Sequence, residues 1–296
     1  MLVRTVRSGI SKGTETLVFR GGVPESQYPT MRAPFQEGEF PGPVKYGYLN
    51  VGVVEQGPAD LQGRRVFCLY PHQTEYVVPA DAVTPVPDDV PSERAVLAGT
   101  VETAVNALWD AQPLIGDRIA VVGAGMVGCS VARLLASFPG IQVTLVDVDA
   151  SRADTATALG VEFALPAEAV GERDMVVHAS ATSAGLQLSL DLLRREGVVM
   201  ELSWYGNHEV RVGLGGAFHS RRLGIRASQV STVATPRRGH RTSAERRSLA
   251  LELLRDPTFD VLVTGASPFD ALPDVLGRLS AGTLPALCHT ITYDEG

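Results

Sequence analysis

The sequence predicts an α/β fold, a doubly wound parallel sheet joined to a β-rich unit. Three observations predict it. From residue 117 to about 202, strand-length apolar runs alternate with helix-like segments, the pattern of a parallel sheet covered by helices on both faces. Residues 1–95 instead hold short apolar runs between Gly and Pro, as antiparallel strands do. A Gly-x-Gly-x-x-Gly motif, Gly123-Ala124-Gly125-Met126-Val127-Gly128, lies between a strand and a helix.

The elements follow in order. Residues 2–6, 51–55, 65–69 and 74–78 read as strands. Between the first two lies a long segment punctuated by Pro24, Pro29, Pro34, Pro41 and Pro43. Loops of that length are commonly functional, and Met31, Phe35, Phe40 and Tyr46 suit an ordered lid or cleft wall. Residues 85–91 read as a linker. Ser92 opens a helix with Glu93 in its first turn, and a second helix runs from about 100 to 110. The alternating region then gives strands at 119–122, 143–146, 175–178 and 197–202, with helices after Gly128 and at 150–159 and 184–193. Residues 220–247 carry eight arginines against one acid, Glu245. That stretch is either a solvated face ending in an amphipathic helix at 244–254, or a basic rim for an anionic substrate or the phosphates of a cofactor. The tail, 261–293, reads as short strands around a helix at 272–279.

The glycine motif sits in the context that a dinucleotide-binding fingerprint requires. Gly123 permits a tight turn off the strand, Gly125 lets backbone approach a pyrophosphate, and Gly128 lets the helix pack closely. The helix N-terminus offers unpaired N–H groups to phosphate. Asp147 ends the next strand, 19 residues after Gly128, where a carboxylate can accept hydrogen bonds from ribose hydroxyls. It would repel a 2′-phosphate, so NAD is expected rather than NADP. A strand–turn–helix that binds nothing is the alternative.

Composition narrows the remaining classes. With 296 residues and a formal charge of −7, the chain can form two cores and is a poor candidate for nucleic-acid binding. Cys68, Cys129 and Cys288 are far apart, which fits a reduced, cytoplasmic protein. The first residues lack an apolar signal segment, and no run approaches a membrane span. There are two lysines, Lys12 and Lys45, against 24 arginines.

The segments SGISKGTE (8–15), GPVKYGYLNVGVV (42–54), ETAVNAL (102–108), GAGMVG (123–128) and VLVTGASPFDALPDVLGRL (261–279) resemble the medium-chain dehydrogenase/reductase superfamily. The nearest branch is the zinc-type alcohol dehydrogenase-like one, and the bacteriochlorophyllide 3-hydroxyethyl dehydrogenases have a similar SGxSxGTE segment. The resemblance implies a GroES-like catalytic domain at 1–95, a Rossmann NAD-binding domain at 96–255 and a return to the catalytic domain at 256–296. It also implies a homodimer, and a chain about one hairpin longer at the start. Zinc-dependent members carry a cysteine where this chain has Ser11-Lys12-Gly13-Thr14-Glu15, and a histidine where it has Tyr48. Their third ligand falls near Gly99. A catalytic zinc needs three N, S or O ligands from protein, so no zinc is expected.

Without a Lewis acid, another group must polarise the oxygen and move the proton. Tyr48, Lys12 and Glu102 are the catalytic candidates. Tyr48 can otherwise be a wall residue, Lys12 a solvated lysine and Glu102 a helix acid paired to an arginine. Thr14 and Glu15 either bind substrate hydroxyls or hold their turn. His72 is kept as a substrate-side proton relay, against the commoner structural role of a lone histidine, and Trp204 as a substrate-facing residue. By resemblance, Ala179 and Ser180 border the nicotinamide ribose, Leu202 and Ser203 face the nicotinamide, and Arg152 stacks on adenine. The leading function is a zinc-independent NAD(H) oxidoreductase acting on an alcohol or carbonyl. An NADPH-dependent enoyl or quinone reductase and a non-catalytic nucleotide-binding scaffold are the alternatives.

Overall fold

Leu2–Ile10 is the first strand, β1, with Val3 and Ile10 fully buried. Helix α1 (Lys12–Phe19) follows, where the sequence pointed to β structure or turn. Its β-branched Thr14, Thr16 and Val18 disfavour a helix intrinsically. Tertiary context overrides that preference: Glu15 accepts the Ser11 N–H at 2.7 Å, and the helix packs on the C-terminal region. The irregular segment contains a 3-10 turn (Glu25–Gln27) and a short hairpin, β2 (Glu37–Gly38) with β3 (Val44–Lys45). Then come β4 (Asn50–Gln56), β5 (Arg65–Cys68), β6 (Glu75–Val77), β7 (Val83–Pro85), α2 (Ser92–Ala95) and the long α3 (Ala98–Ala111).

The alternating region reads β8 (Arg118–Val122), α4 (Met126–Leu135), β9 (Gln142–Val146), α5 (Arg152–Leu159), β10 (Glu162–Ala164), β11 (Arg173–His178), α6 (Ser183–Asp191), β12 (Leu193–Glu201), α7 (Ala217–Ser220) and β13 (Gly224–Ala227). Helix α8 (Ser243–Leu253), β14 (Val263–Pro268), α9 (Leu272–Ala281) and β15 (Cys288–Thr292) complete the chain. Strands β10 and β13 escaped the sequence reading because one is very short and the other, Gly-Ile-Arg-Ala, is mostly exposed.

This computed structural model describes residues 1–294. They form two compact units, 1–99 with 247 onward, and 100–246. In the first, the sheet order is β14-β15-β1-β4-β5-β7, with β6 also on β1. All its pairings are antiparallel except β14 with β15. Val3, Val54, Val66, Tyr70 and Tyr76 form one core of this unit, and Ile10, Val275, Leu279 and Ile291 form another.

In the second unit six strands pair in the order β10-β9-β8-β11-β12-β13, all parallel. This is the doubly wound Rossmann order, with its topological switch between β8 and β11, where ligands bind beyond the carboxyl ends of the strands. Val122, Val146, Val176, Leu190 and Val199 form its core. No helix among the described residues is long and apolar enough to cross a membrane.

Candidate dinucleotide and proton-transfer sites

The glycine motif turns off β8 into α4, and each glycine meets a different constraint. Gly123 has φ +109°, and a Cβ there would come within 2.7 Å of Ser180 N. Gly128 allows no side chain at all, since a Cβ would lie 1.9 Å from Gly123 O. Gly125 differs: its φ is −78°, and a Cβ would have no atom within 4 Å. The fold therefore does not require glycine at 125, and the open space beside its backbone is the kind of cradle that a pyrophosphate fills. Ala124 and Met126 are buried and Val127 is half-buried.

Asp147 follows β9. Its Oδ2 accepts the Ala124 N–H at 2.6 Å, and its Oδ1 accepts the Asp149 N–H at 2.9 Å. The carboxylate thus braces the glycine loop and keeps lone pairs for further donors. Arg152, at the start of α5, pairs with Asp149 at 3.3 Å.

Beyond the ends of β11 and β12 lies a buried polar cluster. His178 is fully buried; its Nδ1 is 2.7 Å from Glu201 Oε2, and its Nε2 is 2.7 Å from Ser180 Oγ. Tyr205 donates to Glu201 at 2.9 Å, and the Ser203 N–H donates to the same carboxylate at 2.7 Å. Burial alone would raise the Glu201 carboxyl, but the His178 hydrogen bond and charge, with Ser203, hold it below the usual range. Ala179 is held to β8 through Val122 O, and Leu202 to β11 through His178 O. The Ser203 hydroxyl accepts the Ala181 N–H at 3.1 Å, and Trp204 is half-buried in the turn that follows.

The second site belongs to the other unit. Tyr48 donates its phenol proton to Ser11 Oγ at 2.7 Å, and Thr14 also hydrogen-bonds to Tyr48. Burial first, then the Glu15 charge, raises the Tyr48 pKa to about 12 against the opposing Ser11 and Thr14 hydrogen bonds. Both Glu15 carboxylate oxygens are turned inward, one to Ser11 N–H and the other to His72 Nε2 at 2.9 Å. His72 in turn lies 2.7 Å from Ser8 Oγ through Nδ1. Lys12 is half-buried at the start of α1, with no ion-pair partner among the described residues.

Glu102 has the arginine pairing that the sequence left open beside a catalytic role. It is 3% exposed and pairs with Arg246, itself 2% exposed, at 3.1 Å. A carboxylate held by a buried guanidinium braces helix α3. Arg246 does not belong to a solvated basic rim, since it donates to Asn106 and to the carbonyls of Val230 and Thr232. Arg221, Arg222 and Arg226 likewise pair with Glu172, Glu196 and Asp110.

The donors present do not suit zinc. Ser11 Oγ is a neutral hydroxyl already bonded to Tyr48. A Cβ at Gly99 would come within 2.5 Å of Leu49 Cδ2, so no ligating side chain fits at 99 without a shift of Leu49. Among the described residues no three His, Cys, Asp or Glu side chains converge. Sequence reading missed Ser8, Ser11 and Tyr293 as site residues, because a lone hydroxyl carries no local signal.

Comparison with known proteins agrees with this geometry. Residues 118–181 match the family described as 3-hydroxyacyl-CoA dehydrogenase, NAD binding domain. An L-threonine 3-dehydrogenase of Mesorhizobium japonicum is 30% identical over 119 residues, 39% of this chain and 34% of that protein. An uncharacterised zinc-type alcohol dehydrogenase-like protein of Haemophilus influenzae is 33% identical over 84 residues, 28% of this chain and 24% of that protein. The matches to these curated relatives thus span about a third of their length or less. The fold likeness is wider. The structure of an alcohol dehydrogenase from Thermus sp. ATN1 superposes with a TM-score of 0.75 at 20% identity, covering 99% of this chain and 92% of that one.

Proposed function

We propose that this chain, a zinc-type alcohol dehydrogenase-like protein of the medium-chain dehydrogenase/reductase fold, is an NAD(H)-dependent oxidoreductase. It interconverts an alcohol and a carbonyl on a small molecule, without zinc. The observation that carries this reading is the Asp147 carboxylate braced against a glycine loop whose Gly125 face is open. In this reading Gly123, Ala124, Gly125, Met126, Val127 and Gly128 hold the pyrophosphate, and Asp147 binds the adenosine ribose. Arg152 lies against adenine. Ala179, Ser180, Leu202 and Ser203 take the nicotinamide riboside. When bound, the nicotinamide supplies or accepts the hydride.

The chain's own part is the proton. Hydride delivery to a carbonyl carbon leaves charge on oxygen, and a positioned acid typically contributes about 10²–10⁴-fold to such a step. Tyr48 suits that role because its raised pKa keeps the phenol protonated throughout the neutral range. In the reverse direction a phenol with so high a pKa is a poor free base. Its hydrogen bond to Ser11 Oγ fixes where the phenol sits in either direction. Thr14 borders the substrate in this reading, and the Lys12 ammonium lends positive charge to the developing oxyanion.

Equilibrium titration with NADH and NADPH, followed by a panel containing L-threonine, simple alcohols and polyols with NAD, tests the proposal. Tighter binding of NADH and turnover of at least one alcohol are expected. No binding of either nucleotide would leave the reading without support, and a clear NADPH preference with turnover of enones or quinones would favour a C=C reductase.

A further inference from the structure

Tyr293, Ser8, His72 and Glu15 form an unbroken hydrogen-bonded row across 285 positions of sequence. The Tyr293 phenol oxygen lies 2.8 Å from Ser8 Oγ, Ser8 Oγ 2.7 Å from His72 Nδ1, and His72 Nε2 2.9 Å from Glu15 Oε2. The inner three residues are 1%, 6% and 4% exposed. Tyr293, at the outer end, is half-buried and lines a cavity of about 280 Å³ with Arg4, Thr74, Glu75 and Asp270. At the inner end, Glu15 Oε1 is 2.7 Å from the backbone N of Ser11, the residue whose hydroxyl holds Tyr48. The imidazole packs where a Cβ at Gly47 would stand 2.8 Å from its Cδ2, so the residue preceding Tyr48 has to be glycine for the row to exist.

The direction of the row follows from its chemistry. An ionised carboxylate only accepts hydrogen bonds, so His72 Nε2–H donates to Glu15. In the neutral ring Nδ1 is then the acceptor, Ser8 donates to it, and the Ser8 oxygen is left to accept the Tyr293 proton. All donors point inward. We propose that this row is a proton conduit between solvent at the cavity and the buried Glu15 carboxylate. Its use in turnover rests on the oxidoreductase reading; its existence as a conduit does not.

For each proton that enters, only O–H and N–H bonds are exchanged. Water protonates Tyr293 as the Tyr293 proton moves to Ser8 and the Ser8 proton to His72 Nδ1. The Nε2 proton passes to Glu15, which becomes the neutral acid, and the hydroxide left by the water stays in solvent. The other titratable groups that feel Glu15 are Tyr46, Tyr48, Cys288 and Tyr293; all are raised, first by burial, and stay neutral. Arg4, Glu75, Asp270 and Asp294 are the charged groups around the cavity.

Hydrogen exchange of the His72 ring N–H tests this without substrate or cofactor. The full chain is labelled with ¹⁵N-histidine, and the signal is assigned by its loss in His72→Gln. Tyr293→Phe keeps the ring and removes only the hydroxyl. Exchange with water is expected to slow about tenfold or more in Tyr293→Phe, because the buried imidazole loses its acid–base path to solvent. A merely structural hydroxyl has the opposite signature, since a loosened fold exchanges faster. Unchanged or faster exchange in folded Tyr293→Phe overturns the conduit. Failure of nucleotide binding would overturn the oxidoreductase reading and leave this result standing.

Discussion

Gly125 and Gly128 are three residues apart in one motif, yet the structure gives them opposite obligations. A Cβ at 128 collides with backbone at 1.9 Å, while a Cβ at 125 meets nothing within 4 Å. Gly128→Ala is therefore expected to lower the thermal midpoint by several degrees, because two packed backbones must part. Gly125→Ala should melt with the wild type and bind NADH at least about tenfold more weakly, its methyl occupying space meant for the cofactor backbone. Calorimetric melting together with nucleotide titration separates the two, and a Gly125→Ala protein that binds NADH normally counts against the cradle. The motif was legible in sequence because strand, glycines, helix and acid are contiguous. The Ser8–His72 and Tyr48–Ser11 contacts were not, since they join residues 64 and 37 positions apart. Tyr48 itself stood out only through the resemblance to proteins with histidine at that place.

Elements decided several points that residue types alone left open. Helix α1 was hidden by its β-branched content, and β13 by its exposure. Arg246 looked like part of a solvated basic stretch, yet α8 turns it into the protein, where it meets Glu102 of α3. Charge in sequence does not report burial; the partner acid lies 144 residues away. Glu102→Ala would leave a buried guanidinium without its carboxylate, a loss of about 3–5 kcal/mol in such pairs. Urea unfolding measures it, and a change under about 0.5 kcal/mol would mean the pair is not formed. At the ends of β11 and β12, Glu201 gives a pH-dependent counterpart. Its carboxyl is lowered on folding, so its stabilisation is present above the unfolded value of about 4.3 and is lost as pH falls through the folded value. The stability gap between wild type and Glu201→Gln should shrink in acid below about pH 4. A gap that widens in acid contradicts the assignment.

Across the whole molecule, sequence likeness is local and fold likeness is broad: the L-threonine 3-dehydrogenase match covers 39% of the chain, while the Thermus alcohol dehydrogenase structure aligns with 99% of it. The parallel unit was legible from periodicity, because strands buried on both faces read as continuous apolar runs. The β-rich unit has weaker local signals and depended on its Gly and Pro punctuation and on the resemblance. In the proposed reading a hydroxyl pair beside an inward-turned carboxylate stands in exchange for a metal. The most direct test of that exchange is the rate of NADH-dependent carbonyl reduction by chelator-treated protein assayed for metal, wild type against Tyr48→Phe. Undiminished turnover by the metal-free wild type, with a fall of about 100-fold or more in Tyr48→Phe, is the expected result. Activity that disappears with the metal and returns with zinc, or a Tyr48→Phe protein that keeps the wild-type rate, would contradict it.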